Sequence, residues 1–223
     1  MKMGRNHNNC FCPIRKCYVV LTLMMLITLT MSCPVSAASK KTKALQAYSA
    51  FLQSKGSDVS FSLIYLNNDS VPELCIKRGL GSTVYTFYKG SVRIMDDSNI
   101  NMFVLTSYYK KKGVLVRMFA HGNISGLYQE YLYCKMTSKT KIRQKLSKSV
   151  SASSGKKTYE YRKVTIKGTF DYTKEHFNST TWKTSVLSKT KFDQELKKMV
   201  GSRKPTSVKT YENTAENRQK ILR

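Results

Sequence analysis

His121 and Cys134 are residue types that could form a general base and a nucleophile. A catalytic cysteine is activated when its thiolate is stabilised, typically at the start of a helix or beside a cation. Cys134 instead lies in the alternating run "EYLYCKM", which predicts a strand, and His121 lies in a predicted turn, as does His176. This context does not favour a cysteine nucleophile.

Acidic residues could also pair for glycoside hydrolysis, which places two carboxyl groups across the scissile bond. The candidates are Asp96, Asp97, Asp171 and Glu175. The chain has only 13 acidic residues against 39 Lys and Arg, and sparse carboxylates in a basic protein more often neutralise nearby lysines. The G-x-S-x-G and H-E-x-x-H motifs are also missing from the sequence. We therefore expect a protein that is not an enzyme, with a hydrolase as the least favoured alternative.

The first 37 residues have the pattern of a signal peptide. Four basic residues precede the apolar run Tyr18–Met31, and small residues follow it up to Ala37. A membrane-spanning helix needs about 20 apolar residues, so this run is too short to span a bilayer. We expect cleavage after Ala37, a secreted protein and no transmembrane segment in the remaining chain. In the alternative, Cys33 accepts a lipid that anchors the protein.

Removal of residues 1–37 leaves 35 basic and 13 acidic residues, a net charge of +22. A field of this size attracts polyanions. We expect the partner to be an anionic cell-wall polymer or an acidic glycan, and no specific nucleic acid, because no nucleic-acid-binding motif is recognisable. The candidate contacts are Lys110, Lys111, Lys112, Lys139, Lys141, Lys145, Lys156 and Lys157. In the alternative, these lysines only keep a secreted β-domain soluble and block pairing of strand edges.

Only two cysteines, Cys75 and Cys134, remain after the leader. In an oxidising compartment they could form one disulfide. The alternative is a pair of separate buried thiols, which pack as small apolar groups.

The elements that must position these residues are mostly strands. A short helix is predicted over Lys43–Ser54 from apolar residues spaced three and four apart, and alternation begins at Val59. Tyr85, Tyr108 and Tyr131 then recur every 23 residues in a repeated design of aromatic strand, lysine-rich turn and β-branched strand. Lys89, Lys112 and Lys135 share the 23-residue spacing, and Gly90 and Gly113 supply the positive φ that tight hairpin turns require.

These patterns predict an α+β domain over residues 38–200. It should be a predominantly antiparallel β meander of about nine strands in one open or partly closed sheet, with a polar link at Ser147–Lys157. A C-terminal helix is predicted over Lys191–Val200, ended by Gly201. Residues 201–223 form a basic tail that is either disordered or ends in a short helix from Thr214.

The stretch "YLNNDSVPEL" resembles the D-x-[DN]-x-D-G-x-P-E-L loops of small, largely uncharacterised secreted proteins of Gram-positive anaerobic bacteria. It is more distantly similar to the calcium loops of FG-GAP and dockerin modules. The C-terminal stretches "FDQELKKMVGSRKPTSVK" and "YENTAENRQKIL" are similar to the ends of the same secreted proteins. The resemblance covers most of the chain after the leader, but it implies no particular activity.

The resemblance implies a degenerate calcium site. By position, its remaining ligands are Asn67, Asp69 and Glu73, while Tyr65 replaces the leading carboxylate and Ser70 the glycine. Calcium takes six to eight oxygen ligands, and its affinity falls as ligand charge is removed. The alternative is a structural turn in which Asn67 and Asp69 accept hydrogen bonds from nearby backbone amides.

Three classes of function follow from the sequence. The first is a secreted non-catalytic module on the cell surface or on an acidic extracellular polymer. The second is a structural protein whose aromatic sheet face contacts another protein, and the third is the hydrolase.

Overall fold

The computed structural model describes most of the chain that follows the predicted leader. The described ranges are residues 39–95, 103–123, 126–167 and 181–223. They belong to one compact unit that spans residues 39–223. No helix within these ranges has the length and apolar character needed to cross a membrane.

Several sequence predictions fall on residues outside the described ranges. These are the leader with its lipid-acceptor alternative Cys33, and the candidate catalytic residues Asp96, Asp97, Asp171, Glu175 and His176.

The described residues form three helices and two antiparallel sheets. The helices are α1 (Lys40–Gln53), α2 (Lys189–Val200) and α3 (Ala215–Ile221). The first sheet has the spatial order β12 (Tyr211–Glu212), β1 (Val59–Ile64), β2 (Glu73–Arg78), β3 (Gly81–Tyr88) and β4 (Ser91–Ile94). The second has the order β10 (Thr181–Leu187), β9 (Lys156–Lys167), β8 (Lys141–Ser153), β7 (Gly126–Ser138), β6 (Val114–Asn123), β5 (Val104–Tyr109) and β11 (Thr206–Ser207).

The α+β class and the antiparallel strands agree with the sequence, but the single meander of about nine strands was wrong. Nine strands do lie between Val59 and Lys167, yet β1–β4 and β5–β9 belong to different sheets. Alternation of side chains defines each strand locally, whereas the choice of neighbour depends on contacts that are distant in sequence.

Two glycines take the turn conformations that the sequence predicts. Gly90 has a φ of 78° in the two-residue turn between β3 and β4, and Gly113 has a φ of 63° at the end of the β5–β6 turn. A Cβ atom at Gly113 would also lie 3.1 Å from the Cβ of Met136. Both the backbone and the packing therefore favour glycine at residue 113.

Helix α1 covers one face of the first sheet. Its N-cap residue Ser39 accepts a hydrogen bond from the amide of Thr42 at 3.1 Å, so the helix begins three residues before the predicted start. Ala44, Leu45, Tyr48 and Leu52 are its buried residues, and they pack on the apolar residues of β1 and β2.

Helix α2 covers the outer face of the second sheet. The side chain of Ser188 accepts from the amide of Lys191, so this helix also begins slightly earlier than predicted. The ring of Phe192 lies 5.5 Å from the ring of Tyr133 and 5.0 Å from that of Tyr161. The aromatic strand residues near Phe192 are thus covered by a helix.

Besides the apolar residues packed beneath α1 and α2, a third apolar cluster lies between the two sheets. This cluster contains one fully buried cation. Cys75 and Val84 of the first sheet pack with Leu115, Leu132 and Cys134 of the second sheet. Arg117 of β6 has no exposed surface, and its Nη1 donates to the carbonyl oxygen of Ser82 on β3 at 2.7 Å. This contact joins the two sheets.

The tail of residues 201–223 is part of the fold. Strand β11 pairs with β5, and strand β12 pairs with β1. The short helix from Thr214 is present as α3, because the Thr214 side chain accepts from the amide of Asn217 at 3.1 Å. Each sheet therefore gains an edge strand from the C-terminal segment.

Candidate polyanion-binding surface

The eight lysines predicted to bind a polyanion do not form one patch. In an antiparallel sheet, the β5–β6 and β7–β8 turns lie at one end and the β8–β9 turn lies at the other. Five of the lysines lie in or beside the first two turns: Lys110, Lys111, Lys112, Lys139 and Lys141. Lys156 and Lys157 begin β9 at the opposite end, and Lys145 lies within β8 between the two ends. We call the group of five the lysine end.

The distance between the two groups rules out a shared small site. Strand β8 has 13 residues, and a rise of about 3.4 Å per residue separates its ends by roughly 40 Å. Across the sheet, the two turns of the lysine end are only two strand spacings apart, or about 10 Å, and the β7–β8 hairpin extends three residues beyond the Val114–Lys135 pair. The lysine end is therefore the compact cationic surface among the predicted residues.

The backbone of the lysine end is held in place by the loop at residues 65–72. The amide of Lys111 donates to the carbonyl of Tyr65 at 2.9 Å, and the amide of Gly113 donates to that of Leu66 at 2.5 Å. The Lys110 ammonium lies 5.7 Å from the centre of the Tyr65 ring, within the range of a cation–π contact. The turn thus presents its lysines from a fixed backbone.

The side chain of Lys135 supports the β5–β6 turn. Lys135 was not among the residues predicted to bind a polyanion. Its ammonium donates to the carbonyl oxygen of Lys112 and, at 3.4 Å, to that of Met199 in the last turn of α2. Burial lowers the pKa of Lys135, and the charge of Lys112 lowers it further. The 23-residue spacing marked Lys135 as a turn lysine, but it lies on β7 and has a structural role.

The end of α2 brings further basic residues to the lysine end. A Cβ atom at Gly201 would lie 3.7 Å from the Lys112 ammonium, so the chain after α2 passes next to the β5–β6 turn. Lys197 lies in the last turn of α2, and Arg203 and Lys204 are exposed just beyond it. In the sequence, these further basic residues were indicated only by the basic composition of the tail. Composition did not show where the tail lies in the fold.

The degenerate calcium loop is closed by its own hydrogen bonds. Asn67 Oδ1 accepts from the amide of Asp69 at 2.9 Å, and Asp69 Oδ1 accepts from the amide of Val71 at 3.1 Å. Glu73 is 1% exposed, and its two oxygens accept from the Leu66 amide at 2.9 Å and from Asn67 Nδ2 at 3.1 Å. These bonds match the structural-turn alternative.

The carboxyl group of Glu73 is also poorly suited to a cation. Burial is the main cause that raises its pKa to about 8, and the charge of Asp69 adds to the effect. At neutral pH the protonated form therefore dominates, whereas a calcium ligand is a carboxylate. Within the described residues, no group of three or more His, Cys, Asp or Glu is arranged to hold a metal ion.

A surface cleft of about 400 Å³ separates this loop from the β7–β8 turn. It is lined by Asn67, Asn68, Asp69, Met136, Thr137, Ser138 and Lys139. The cleft places amide and hydroxyl groups beside one lysine of the lysine end. Such groups can bond to the hydroxyls of a polymer whose charges contact the lysines.

Cys75 and Cys134 are both free thiols in the structure, which is the second of the two alternatives for this pair. They belong to the apolar cluster between the sheets, and each is 3% exposed. Burial raises the pKa of each thiol to about 11, although the charge of Arg117 acts in the opposite direction. Neither thiol has the lowered pKa of an activated nucleophile.

The structure does not bring His121 and Cys134 together. Cys134 pairs with Leu115 on β6, six residues before His121 on that strand. At about 3.4 Å per residue, the two positions are roughly 20 Å apart. His121 is exposed and Cys134 is buried, so they cannot act as a pair.

No protein-family model, curated protein or solved structure matches this chain. The arguments about its function therefore depend on its own geometry and charge.

Proposed function

We propose that this protein is a secreted, non-catalytic module that binds an acidic extracellular polymer through the lysine end. The observation that carries the proposal is the convergence of five lysines on two neighbouring turns that lie about 10 Å apart across the sheet. A polymer with regularly repeated phosphate, sulfate or carboxylate groups can contact both turns at once.

Four of the five lysines of the lysine end are exposed, and Lys112 is half-buried beside Gly201. Among the described residues, the ion pairs are Arg78–Asp58, Arg162–Glu160, Lys163–Glu195, Lys189–Asp193 and Lys198–Glu195, and none of them includes a lysine of this group. The nearest loop acids are engaged internally, since Asp69 accepts from Val71 and Glu73 is buried. A polyanion would therefore not have to displace a carboxylate from these lysines.

The alternative function, in which an aromatic sheet face binds another protein, has less support. Helix α2 covers Tyr133 and Tyr161 through Phe192. The large apolar side chains that are exposed in the described residues belong to separate strands and turns: Leu80, Ile94, Leu127, Tyr159 and Val186. Scattered exposed residues of this kind are common on monomeric proteins.

The proposal can be tested by binding the purified protein to heparin and to teichoic-acid-containing cell walls over a range of salt concentrations. Electrostatic binding depends on the release of counterions, so we expect the affinity to fall at least about tenfold between 50 and 200 mM salt. Dextran, an uncharged polysaccharide, is the control and should not bind. An absence of retention on both polyanions at low salt would refute the proposal.

A further inference from the structure

A second cleft, with a volume of about 360 Å³, lies on the helix-covered side of the first sheet. It is lined by Lys55, Val59, Ile76, Arg78, Gly81, Ser82, Thr83 and Tyr85. Small-molecule sites in proteins are typically concave, with volumes of about 300–1,000 Å³ and mostly apolar walls. This cleft falls in that volume range, its lining is more polar than apolar, and it is built from different residues than the lysine end.

The cleft exists because α1 is shorter than the sheet it covers. In the first sheet Val59 pairs with Arg78 and Ile76 pairs with Thr83, so these side chains share one face. The helix ends at Gln53, and beyond it Thr83 and Arg78 are only partly covered, whereas Val59 and Ile76 stay buried. The floor of the cleft is therefore a strand surface, which is more rigid than a loop.

The wall beside α1 is also fixed. Asn213 Nδ2 donates to the carbonyl oxygens of Leu52 at 2.9 Å and Gly56 at 3.2 Å, which holds the segment after the helix against the C-terminal strand. The ring of Phe51 lies 4.9 Å from that of Tyr85. These contacts form the cleft before any ligand enters.

The chemistry of the cleft combines an apolar floor with a cationic rim. Val59 and Ile76 are buried side chains on the floor. The Lys55 ammonium lies 4.4 Å from the centre of the Phe51 ring, and Arg78 pairs with exposed Asp58 through an Nε–Oδ2 contact of 3.0 Å. Two cations and one acid leave a net charge of +1 at the rim.

We propose that this cleft binds a small organic monoanion that carries an apolar ring or a short aliphatic group. The apolar part lies against the Tyr85 ring and the Thr83 side chain, above buried Val59 and Ile76, and the anionic group faces Lys55 and Arg78. The site is separate from the lysine end, because Arg78 and Glu73 lie at opposite ends of β2, roughly 17 Å apart at about 3.4 Å per residue.

The probe for this proposal is 8-anilinonaphthalene-1-sulfonate, an aromatic monoanion. N-phenyl-1-naphthylamine has the same ring system without the sulfonate and reports the apolar contacts alone. Titration of the sulfonate into the ¹⁵N-labelled protein should shift the amide signals of Val59, Ile76 and Thr83.

The charge variants K55Q and R78Q test the anionic contact. Because a hydrogen bond to a charged group is worth about 1.5–3 kcal/mol, we expect the double variant to weaken sulfonate binding by about tenfold or more. Binding of the neutral amine should change by less than about twofold. The control is K89Q, which removes an exposed lysine from the β3–β4 turn at the other end of β3 and should leave both affinities unchanged.

The variant T83W fills the cleft from β3 and should reduce binding of both probes. If T83W does not fold, the charge variants still decide the question.

Equal sulfonate affinity in the wild type and the K55Q/R78Q variant would overturn the proposal, as would signal shifts confined to residues outside the cleft. Heparin binding should be unaffected by T83W, so failure of this proposal is distinguishable from failure of the polymer-binding proposal.

Discussion

At the scale of single residues, Glu73 links the stability of the protein to pH. It is buried at the junction of the loop and β2, and its pKa is raised to about 8 from an ordinary value of 4.5. The folded protein therefore binds a proton more tightly than the unfolded chain between these two values. The stability contributed by the protonated group is fully present below pH 4.5 and is lost as the pH rises through 8.

The variant Glu73→Gln should remove this dependence, because its amide stays neutral. Each unit of pKa difference is worth about 1.4 kcal/mol, so we expect the wild type to lose about 2–4 kcal/mol relative to the variant between about pH 5 and about pH 8.5. Urea unfolding at a series of pH values measures this. The control is Asp58→Asn, which replaces an exposed acid. Parallel pH profiles for the wild type and Glu73→Gln would contradict the assignment.

The buried thiols give a second prediction at this scale. Burial raises the pKa of Cys75 and Cys134 to about 11 from 9.0. Since two pKa units reduce the thiolate fraction roughly 100-fold, and burial also limits access, iodoacetamide should modify both residues far more slowly in the folded protein than in urea. Peptide mass mapping identifies the modified cysteines. Protection that persists in urea and disappears only with a reductant would show that the two residues form the disulfide instead.

At the scale of secondary-structure elements, Lys135 connects the lysine end to α2. It donates to a carbonyl of the β5–β6 turn and to one of the last helical turn. In Lys135→Met, both oxygens lose this donor, and we expect the free energy of unfolding to fall by about 1–3 kcal/mol.

The matched control for Lys135→Met is Lys141→Met, which replaces an exposed lysine at the start of β8. Most exposed substitutions of this kind change stability by less than about 0.5 kcal/mol. Chemical unfolding of the two variants provides the comparison, and equal losses would show that Lys135 does not support the turn.

The individual elements were largely predictable from the sequence because their signals are local. Apolar spacing located α1 and α2, and Gly90 and Gly113 located two turns. The polar stretch Ser147–Lys157 was predicted as a link, but β8 continues through it to Ser153 and β9 begins at Lys156. Serines alternate there with Lys148, Val150 and Ala152, and the segment forms a strand because cross-strand pairing with β7 and β9 outweighs the weak strand preference of serine.

At the scale of the whole molecule, the C-terminal segment adds an edge strand to each sheet. Asn213 is the main side chain that anchors this segment. Its Nδ2 donates to Leu52 in the last turn of α1 and to Gly56 just after the helix, and its Oδ1 accepts from Arg218 at 2.9 Å. We expect Asn213→Ala to reduce the free energy of unfolding by about 2–3 kcal/mol, since buried carbonyl groups lose their donor. Asn68→Ala, at an exposed loop position, is the control for a thermal or urea melt. A loss no larger than that of the control would mean that the tail is not anchored in this way.

The candidate surface was only partly predictable. Lysine-rich turns are visible in the sequence, but which turns share an end follows from the strand order, and that order places Lys156 and Lys157 far from Lys110 and Lys139. The structural role of Lys135 was not visible because it depends on the position of α2, more than 50 residues later in the chain. The closure of the loop at Glu73 likewise depends on the burial of the Glu73 side chain, which the sequence does not show.

The central claim is that the lysine end binds an acidic polymer. The most direct test compares the heparin affinity of two variants that each lose two positive charges: K110Q/K139Q at the lysine end and K156Q/K157Q at the opposite end. A lysine near an anionic surface contributes about 1 kcal/mol, so the first variant should bind about tenfold or more weakly than the wild type, and the second should stay within roughly twofold. Equal losses of affinity in the two variants would contradict the account, because net charge rather than the lysine end would then determine binding.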